Sequence, residues 1–289
     1  MFCTSFEYHR PTTVAEAVAL LAANPDARVL AGGHSLLPLM KLRLATPPAV
    51  VDIGRIRELA GIRRSVGLEI GALTTHAAVA AAPEVAATCP LMAEAAAQIG
   101  DTQVRNRGTI GGSLAHAHPG ADLPTVMLAL DAVMTAIGSG GSREIAADDF
   151  FQGLFTTALQ PAEILTGIRV PLPPAGTGAA YLKHRHPASS YAVVGVAALV
   201  TLRGSQYDGV RLVVGGATPR PVRCSAAEAA LQGHDTGEGT IAAAARLVGE
   251  AITDPMSDLY ASAEYRRHLA TVMAERALTL ATQRSIGAL

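Results

Sequence analysis

Two loops with paired glycines are the residues best suited to chemistry: LAGGHSLLP, Leu30 to Pro38, and GTIGGSLAH, Gly108 to His116. A diphosphate needs several convergent backbone N–H groups at close approach, and glycine permits both the positive φ and the proximity. Ser35 and Ser113 add hydroxyl donors. Neither loop is a P-loop, because no Gly-Lys-Ser/Thr follows, and the chain lacks the G-x-G-x-x-G of a Rossmann turn. Either loop alone reads as a plain turn; the pair, in adjacent units, suits a dinucleotide clamp. Two H-x-H pairs, His116/His118 and His184/His186, have the alternate spacing of metal ligands. Both lie in proline-terminated sequence with no acidic residue at matching spacing, so surface histidines are expected and no metal site. The sequence has no Ser/His/Asp arrangement and no pair of catalytic carboxylates, so no side chain is assigned a catalytic role.

The elements that hold these loops are legible in outline. Thr13-x-x-Glu16 is a capping box for a helix carrying Val14, Val18 and Leu21 on one face. Arg28 to Ala31 reads as a strand running into the first loop, and Ala49 to Ile53 as a second. A strand over Leu68 to Leu73 opens the next unit, followed by an Ala-rich helical stretch to Gln98 capped by Thr74 or Thr75. Arg105 to Pro124 reads as a long irregular loop, with Asp122 capping a helix over Leu123 to Leu130. Strands over Ala132 to Ile137 and Ile164 to Val170 follow. Pro171 to Gly178, PLPPAGTG, is a linker. Beyond it, Ala179 to Lys183, Val193 to Leu202 and Val210 to Val214 read as an antiparallel meander. Helices follow: one capped by Ser225-x-x-Glu228, one over Ile241 to Ala251, and a long one from Ala263 to about Gln283. On the last, Leu269, Val272, Ala277 and Leu280 share a face that excludes Arg266, Arg267 and Glu275. This is an α+β chain, divided into residues 1–54, 55–174 and 179–289.

Composition removes other classes. With 289 residues, 49% of them hydrophobic, the chain can bury several cores, and a net charge of -1 gives no footprint for nucleic acid. There is no Trp, and aromatic residues make up 4%, which is poor material for stacking single strands. The longest apolar run, Tyr191 to Leu202, is too short to span a bilayer. The start, MFCTSFEYHRPTT, lacks a basic segment followed by an apolar stretch, so a cytoplasmic location is expected. Cys3, Cys89 and Cys224 are odd in number and far apart, so any iron–sulfur or metal redox centre is expected in a partner. Of the 23 basic residues only Lys41 and Lys183 are lysines.

AGGHSLLPLMKLRLATPPAVVDIGRI, QVRNRGTIGGSLAH and DLPTVMLALDA resemble the FAD-binding medium subunit of molybdenum hydroxylases, especially the aerobic carbon monoxide dehydrogenase type. The resemblance continues through YLKHRHPASSYAVVGVAA, VGGATPRPVR and the Asp258–Glu264–Tyr265 region, and so covers nearly the whole length. It implies a two-subdomain FAD-binding fold of the PCMH type, with a C-terminal domain of three antiparallel strands and helices over the flavin end. It further implies non-covalent FAD in this chain, and molybdenum cofactor and [2Fe–2S] clusters on a large and a small partner subunit, assembled as a dimer of heterotrimers. A stand-alone flavin oxidase and a non-redox nucleotide-binding assembly protein are the alternatives.

Residue by residue, the resemblance implies that Ala31, Gly32, Gly33, His34, Ser35 and Leu36 form one half of the FAD clamp. Thr109, Gly111, Gly112 and Ser113 form the other. Asp122 matches an acidic residue expected at the ribose or adenosine end, and Lys183 matches a lysine expected near the flavin or its phosphates. Tyr191 matches a position where relatives carry an aromatic residue against the isoalloxazine ring. Relatives commonly have an acidic residue where this sequence has His118.

Overall fold

The computed structural model describes residues 2–287. Glu7–His9, Ala49–Asp52 and Arg28–Leu30 lie side by side, in that order, as a parallel sheet. The crossover helix Val14–Ala23 buries Ala17, Val18 and Leu21 against Val51 and Ile53. Thr13 caps it as the box pattern predicts, accepting from the Glu16 N–H at 3.2 Å. Because Arg28–Leu30 is parallel to its neighbour, its carboxyl end opens directly into the first glycine loop.

The next sheet has five strands in the order Ile62–Arg64, Gly67–Gly71, Ile164–Pro171, Val133–Gly138 and Gly141–Ala146, every neighbour antiparallel. Six short helices fill the excursion between the strands Gly67–Gly71 and Val133–Gly138. Pro83 and Pro90 start new helices and break the Ala-rich stretch into His76–Ala81, Pro83–Thr88 and Pro90–Ala97. The expected loop over Arg105 to Pro124 is instead mostly helical: Thr102–Arg107, Ile110–His116 and Asp122–Ala129 follow one another with brief turns between. Its glycines serve close packing. A Cβ on Gly111 would sit 2.5 Å from that of Ala72, so this helix can lie directly on the chain leaving the Gly67–Gly71 strand.

The last sheet is a meander of Gly178–Arg185, Ala192–Arg203 and Gln206–Gly215, with Val222–Arg223 adding a two-residue edge. Its central strand is buried almost throughout because both faces are covered. Tyr181, Ala197, Leu199 and Val213 point into the core of the preceding unit, while Ala180, Val196, Ala198, Val200 and Leu212 point under the long helix Ala263–Ser285. The alternation of period two thus welds the last sheet to the second unit. Two expectations change here. Ser225 does not cap its helix; Cys224 occupies that position, and Glu228 accepts from the Leu212 N–H at 2.8 Å and from Arg223. Arg266, which the pattern sets apart from the apolar face of its helix, is nonetheless buried, donating to the carbonyls of Val193 and Gly216.

Candidate cofactor-binding site

Between the three units runs a cleft of about 820 Å³. Ala31 to Leu36, Thr109, Gly111, Gly112, Ser113, Asp122 and Tyr191 all line it; Lys183 does not. The two glycine loops meet in its middle, where a Cβ on Gly32 would lie 2.2 Å from the Arg107 carbonyl oxygen. Gly33 has φ +77°, which lets the chain turn from the strand into the helix Leu36–Lys41.

The loops differ in what they offer a ligand. Among the described residues, no protein acceptor takes the backbone N–H groups of Gly32, Gly33, His34 and Ser35. Ser35 precedes the helix Leu36–Lys41 without a side-chain cap bond, so this turn is a row of free donors. His34 Nδ1 lies 3.1 Å from the Gly32 carbonyl oxygen. In the second loop the N–H groups of residues 110–113 are already used. Ile110 donates to Thr74 O at 2.9 Å, Gly111 to Ala72 O at 2.8 Å, Gly112 to Thr109 Oγ1 at 3.1 Å and Ser113 to Thr109 O at 3.0 Å. The first loop can therefore hold an anion through a row of backbone donors, whereas the second offers a wall with the Thr109 N–H and the Ser113 hydroxyl.

Asp122 does not cap its helix. Ala121 is the N-cap residue, and the buried carboxylate instead accepts from Tyr181 Oη at 2.7 Å and pairs with Lys183 Nζ at 2.8 Å. Burial pushes the Asp122 carboxyl above its ordinary range, against the pull of Lys183 and the Tyr181 hydroxyl. Burial likewise raises the Tyr181 phenol, and the Asp122 charge adds to the effect. Tyr181, whose period-two position reads simply as core, was not legible as part of this network.

One end of the cleft is aromatic. Tyr191 stacks on His118, and Phe155 lies 5.1 Å from His116 and 5.4 Å from His118, centroid to centroid. His116 and His118 are thus cleft-lining rather than surface residues, and burial lowers the pKa of both, that of His118 to about 4. His184 and His186 pack near Tyr260 instead. Another residue unsuspected from sequence is His76, which lines the cleft beside Gly108, is 4% exposed, and has Nδ1 buried without a partner. Nothing in its spacing distinguishes it from an ordinary helix N-terminal residue. Burial also pushes the Cys89 and Cys224 thiols up to about 12, and no group of three or more metal-ligating side chains occurs among the described residues.

Residues 4–173 match the FAD binding domain in molybdopterin dehydrogenase, and residues 179–281 match the CO dehydrogenase flavoprotein C-terminal domain. The chain belongs to the FAD-binding medium-subunit family of the molybdenum hydroxylases. The carbon monoxide dehydrogenase medium chain of Hydrogenophaga pseudoflava is 42% identical over 281 residues, 96% of this chain and 98% of its own. The glyceraldehyde dehydrogenase medium chain of Sulfolobus acidocaldarius is 37% identical, over 96% of this chain and 98% of its own. Among solved structures, carbon monoxide dehydrogenase from Hydrogenophaga pseudoflava matches with a TM-score of 0.95 at 44% identity, covering 98% of this chain and 99% of that one. Quinoline 2-oxidoreductase from Pseudomonas putida 86 matches at 0.94 and 35% identity, over 99% and 100%.

Membership makes this chain a medium subunit of an oxidoreductase complex, carrying an FAD-binding domain. The site passes the test this sets. Four free N–H groups in one turn suit a diphosphate, the cleft volume suits a dinucleotide, and the aromatic end suits a flavin ring. No helix among the described residues is long and apolar enough to cross a membrane.

Proposed function

We propose that this chain holds FAD non-covalently as the electron outlet of a molybdenum hydroxylase, taking electrons from [2Fe–2S] clusters of a small partner subunit and passing them to an external acceptor. The observation that carries the reading is the row of unpaired N–H groups from Gly32 to Ser35 in the floor of a dinucleotide-sized cleft. These donors would hold the diphosphate, with Ala31 and Leu36 flanking it and Thr109, Gly111, Gly112 and Ser113 closing the opposite wall. Tyr191 and His118 would enclose the flavin end, and Asp122 would supply its remaining acceptor capacity to the cofactor's hydroxyls. Bound there, FAD supplies the link between one-electron iron–sulfur carriers and the acceptor. The chain's own residues bind, orient and exclude water; none needs to act as acid or base on the complex's substrate.

Three units divide this work: residues 1–54 and 55–174 clasp the cofactor, and 179–289 covers its reactive end. The relatives' names differ in the compound oxidised, from carbon monoxide to glyceraldehyde and quinoline, while their medium chains share one fold. Substrate choice therefore belongs to the large molybdenum subunit. The assembly we propose is a cytoplasmic dimer of heterotrimers. The deciding experiment is a visible absorption spectrum of the chain expressed alone and with its neighbouring gene products, with the released cofactor weighed. FAD bands from the lone chain, joined by iron–sulfur features only with the partners, are expected; no flavin in either preparation overturns the reading.

A further inference from the structure

Lys183 belongs to the strand Gly178–Arg185, and its side chain is 1% exposed. Three oxygens surround its ammonium: Asp122 Oδ1 at 2.8 Å, the Gln98 carbonyl at 2.9 Å and the Ser190 carbonyl at 2.9 Å. An ammonium has three hydrogens to donate, and here each has an acceptor. None is left for a cofactor, and the side chain does not reach the cleft, although Asp122 and Ser190 both line it.

What Lys183 holds is a turn. Ser190 donates to the His186 carbonyl at 2.9 Å, and His186 donates to that of Tyr191 at 2.8 Å, closing residues 186–191 on themselves. Ser190 adopts φ +62°, a conformation uncommon for a residue with a side chain. The next residue is Tyr191, stacked on His118 at the aromatic end of the cleft. We propose that Lys183 is a positioning residue: by gripping the Ser190 carbonyl it fixes the His186–Tyr191 turn against the Asp122 helix and so sets Tyr191 over the cleft. The consequence for cofactor binding rests on the FAD reading above; the tether itself does not.

The test uses the purified full chain. Lys183→Met with Asp122→Asn removes both charges together, so no unpaired charge is left buried. Two readouts are taken: the rate at which trypsin releases the fragment ending at Arg185, an exposed residue at the entry to the turn, and the FAD dissociation constant from flavin fluorescence. Cleavage at least fivefold faster and an FAD dissociation constant about tenfold higher are expected. Adding Ser190→Gly should recover half or more of both losses, because glycine takes a positive φ without a side-chain clash. Wild-type protection in the double variant overturns the tether. Weakened FAD binding with unchanged protection and no rescue by Ser190→Gly also overturns it, in favour of a direct cofactor contact. If the double variant does not fold, Lys183→Met alone removes the grip on the Ser190 carbonyl, and wild-type protection there likewise overturns the proposal. If the wild-type chain takes up no FAD, the functional reading fails while the cleavage rates still decide the tether.

Discussion

His118 and Tyr191 stack ring on ring, their centroids 4.1 Å apart and their planes 14° from parallel. One follows the second glycine loop and the other precedes the central strand of the last sheet, so the stack closes the cleft between two units. Burial pushes the Tyr191 phenol up, with the neighbouring Ser35 side chain opposing. If the flavin ring seats against this pair, the aromatic face matters and the hydroxyl does not. Tyr191→Ala should raise the FAD dissociation constant roughly fivefold, from about 1 kcal/mol for a lost aromatic pair. Tyr191→Phe should bind as wild type. Fluorescence titration of both variants checks this, and equal affinities for Ala and Phe would place the ring away from the cofactor.

The two neighbouring glycines of the second loop should separate binding from folding. A Cβ on Gly112 would meet only Thr109 Oγ1, at 2.8 Å, whereas one on Gly111 would collide with Ala72 Cβ at 2.5 Å and its carbonyl at 2.7 Å. Gly111→Ala is expected to lower stability by about 1–3 kcal/mol through overpacking. Gly112→Leu should leave a soluble, folded chain that fails to retain flavin, because the added side chain enters the cleft. Urea denaturation and the flavin-to-protein absorbance ratio of the two variants measure the contrast. A Gly112→Leu protein that copurifies with full flavin would remove Gly112 from the clamp.

The main strands and the first glycine loop were legible because each rests on local pattern. What escaped was long-range. Asp122 stands where a helix cap would, but its carboxylate belongs to Tyr181, 59 residues away, and to Lys183. Ser225-x-x-Glu228 has the spacing of a capping box, but Glu228 is drawn to the Leu212 N–H and Arg223 across the fold. Glycine count made residues 105–124 read as a loop, although Thr109 caps a helix whose Ile110 and Leu114 are in the core. Spacing reports what a segment can do alone; the partner that overrides it lies elsewhere in the chain.

His76 sets the acid side of the stability profile. Burial, reinforced by the neighbouring His34, holds its pKa at about 4 against an ordinary 6.5. The folded state therefore refuses a proton that the unfolded chain accepts, so stability falls as pH drops below about 6.5, and the loss is complete near pH 4. The span corresponds to at most about 3 kcal/mol. His118 pulls in the same direction. Thermal melts between pH 7.5 and 4.5 should show a decline that His76→Gln makes shallower; parallel curves for the two proteins would exclude His76 as the group responsible.

Arg266 carries the strongest expectation for stability. Its guanidinium donates to the Val193 carbonyl at 2.6 Å and the Gly216 carbonyl at 2.8 Å, and pairs with Asp258. Gly216 in turn donates to the Pro119 carbonyl and Ala192 to that of Gly120, both at most 3.0 Å, next to His118 in the cleft wall. Arg266→Met would orphan two buried carbonyls, a loss of about 3 kcal/mol in urea unfolding. Arg266→Lys should recover only part, because one ammonium nitrogen cannot stand both at the Nη1 position between the two carbonyls and at the Nη2 position beside Asp258. Asp258→Asn should cost far less. Asp258 is half exposed, and backbone N–H groups of Ala261 and Tyr260 are among the influences that hold its pKa below the ordinary range. If Asp258→Asn proved as damaging as Arg266→Met, the ion pair rather than the carbonyl grip would be what holds this corner of the fold together.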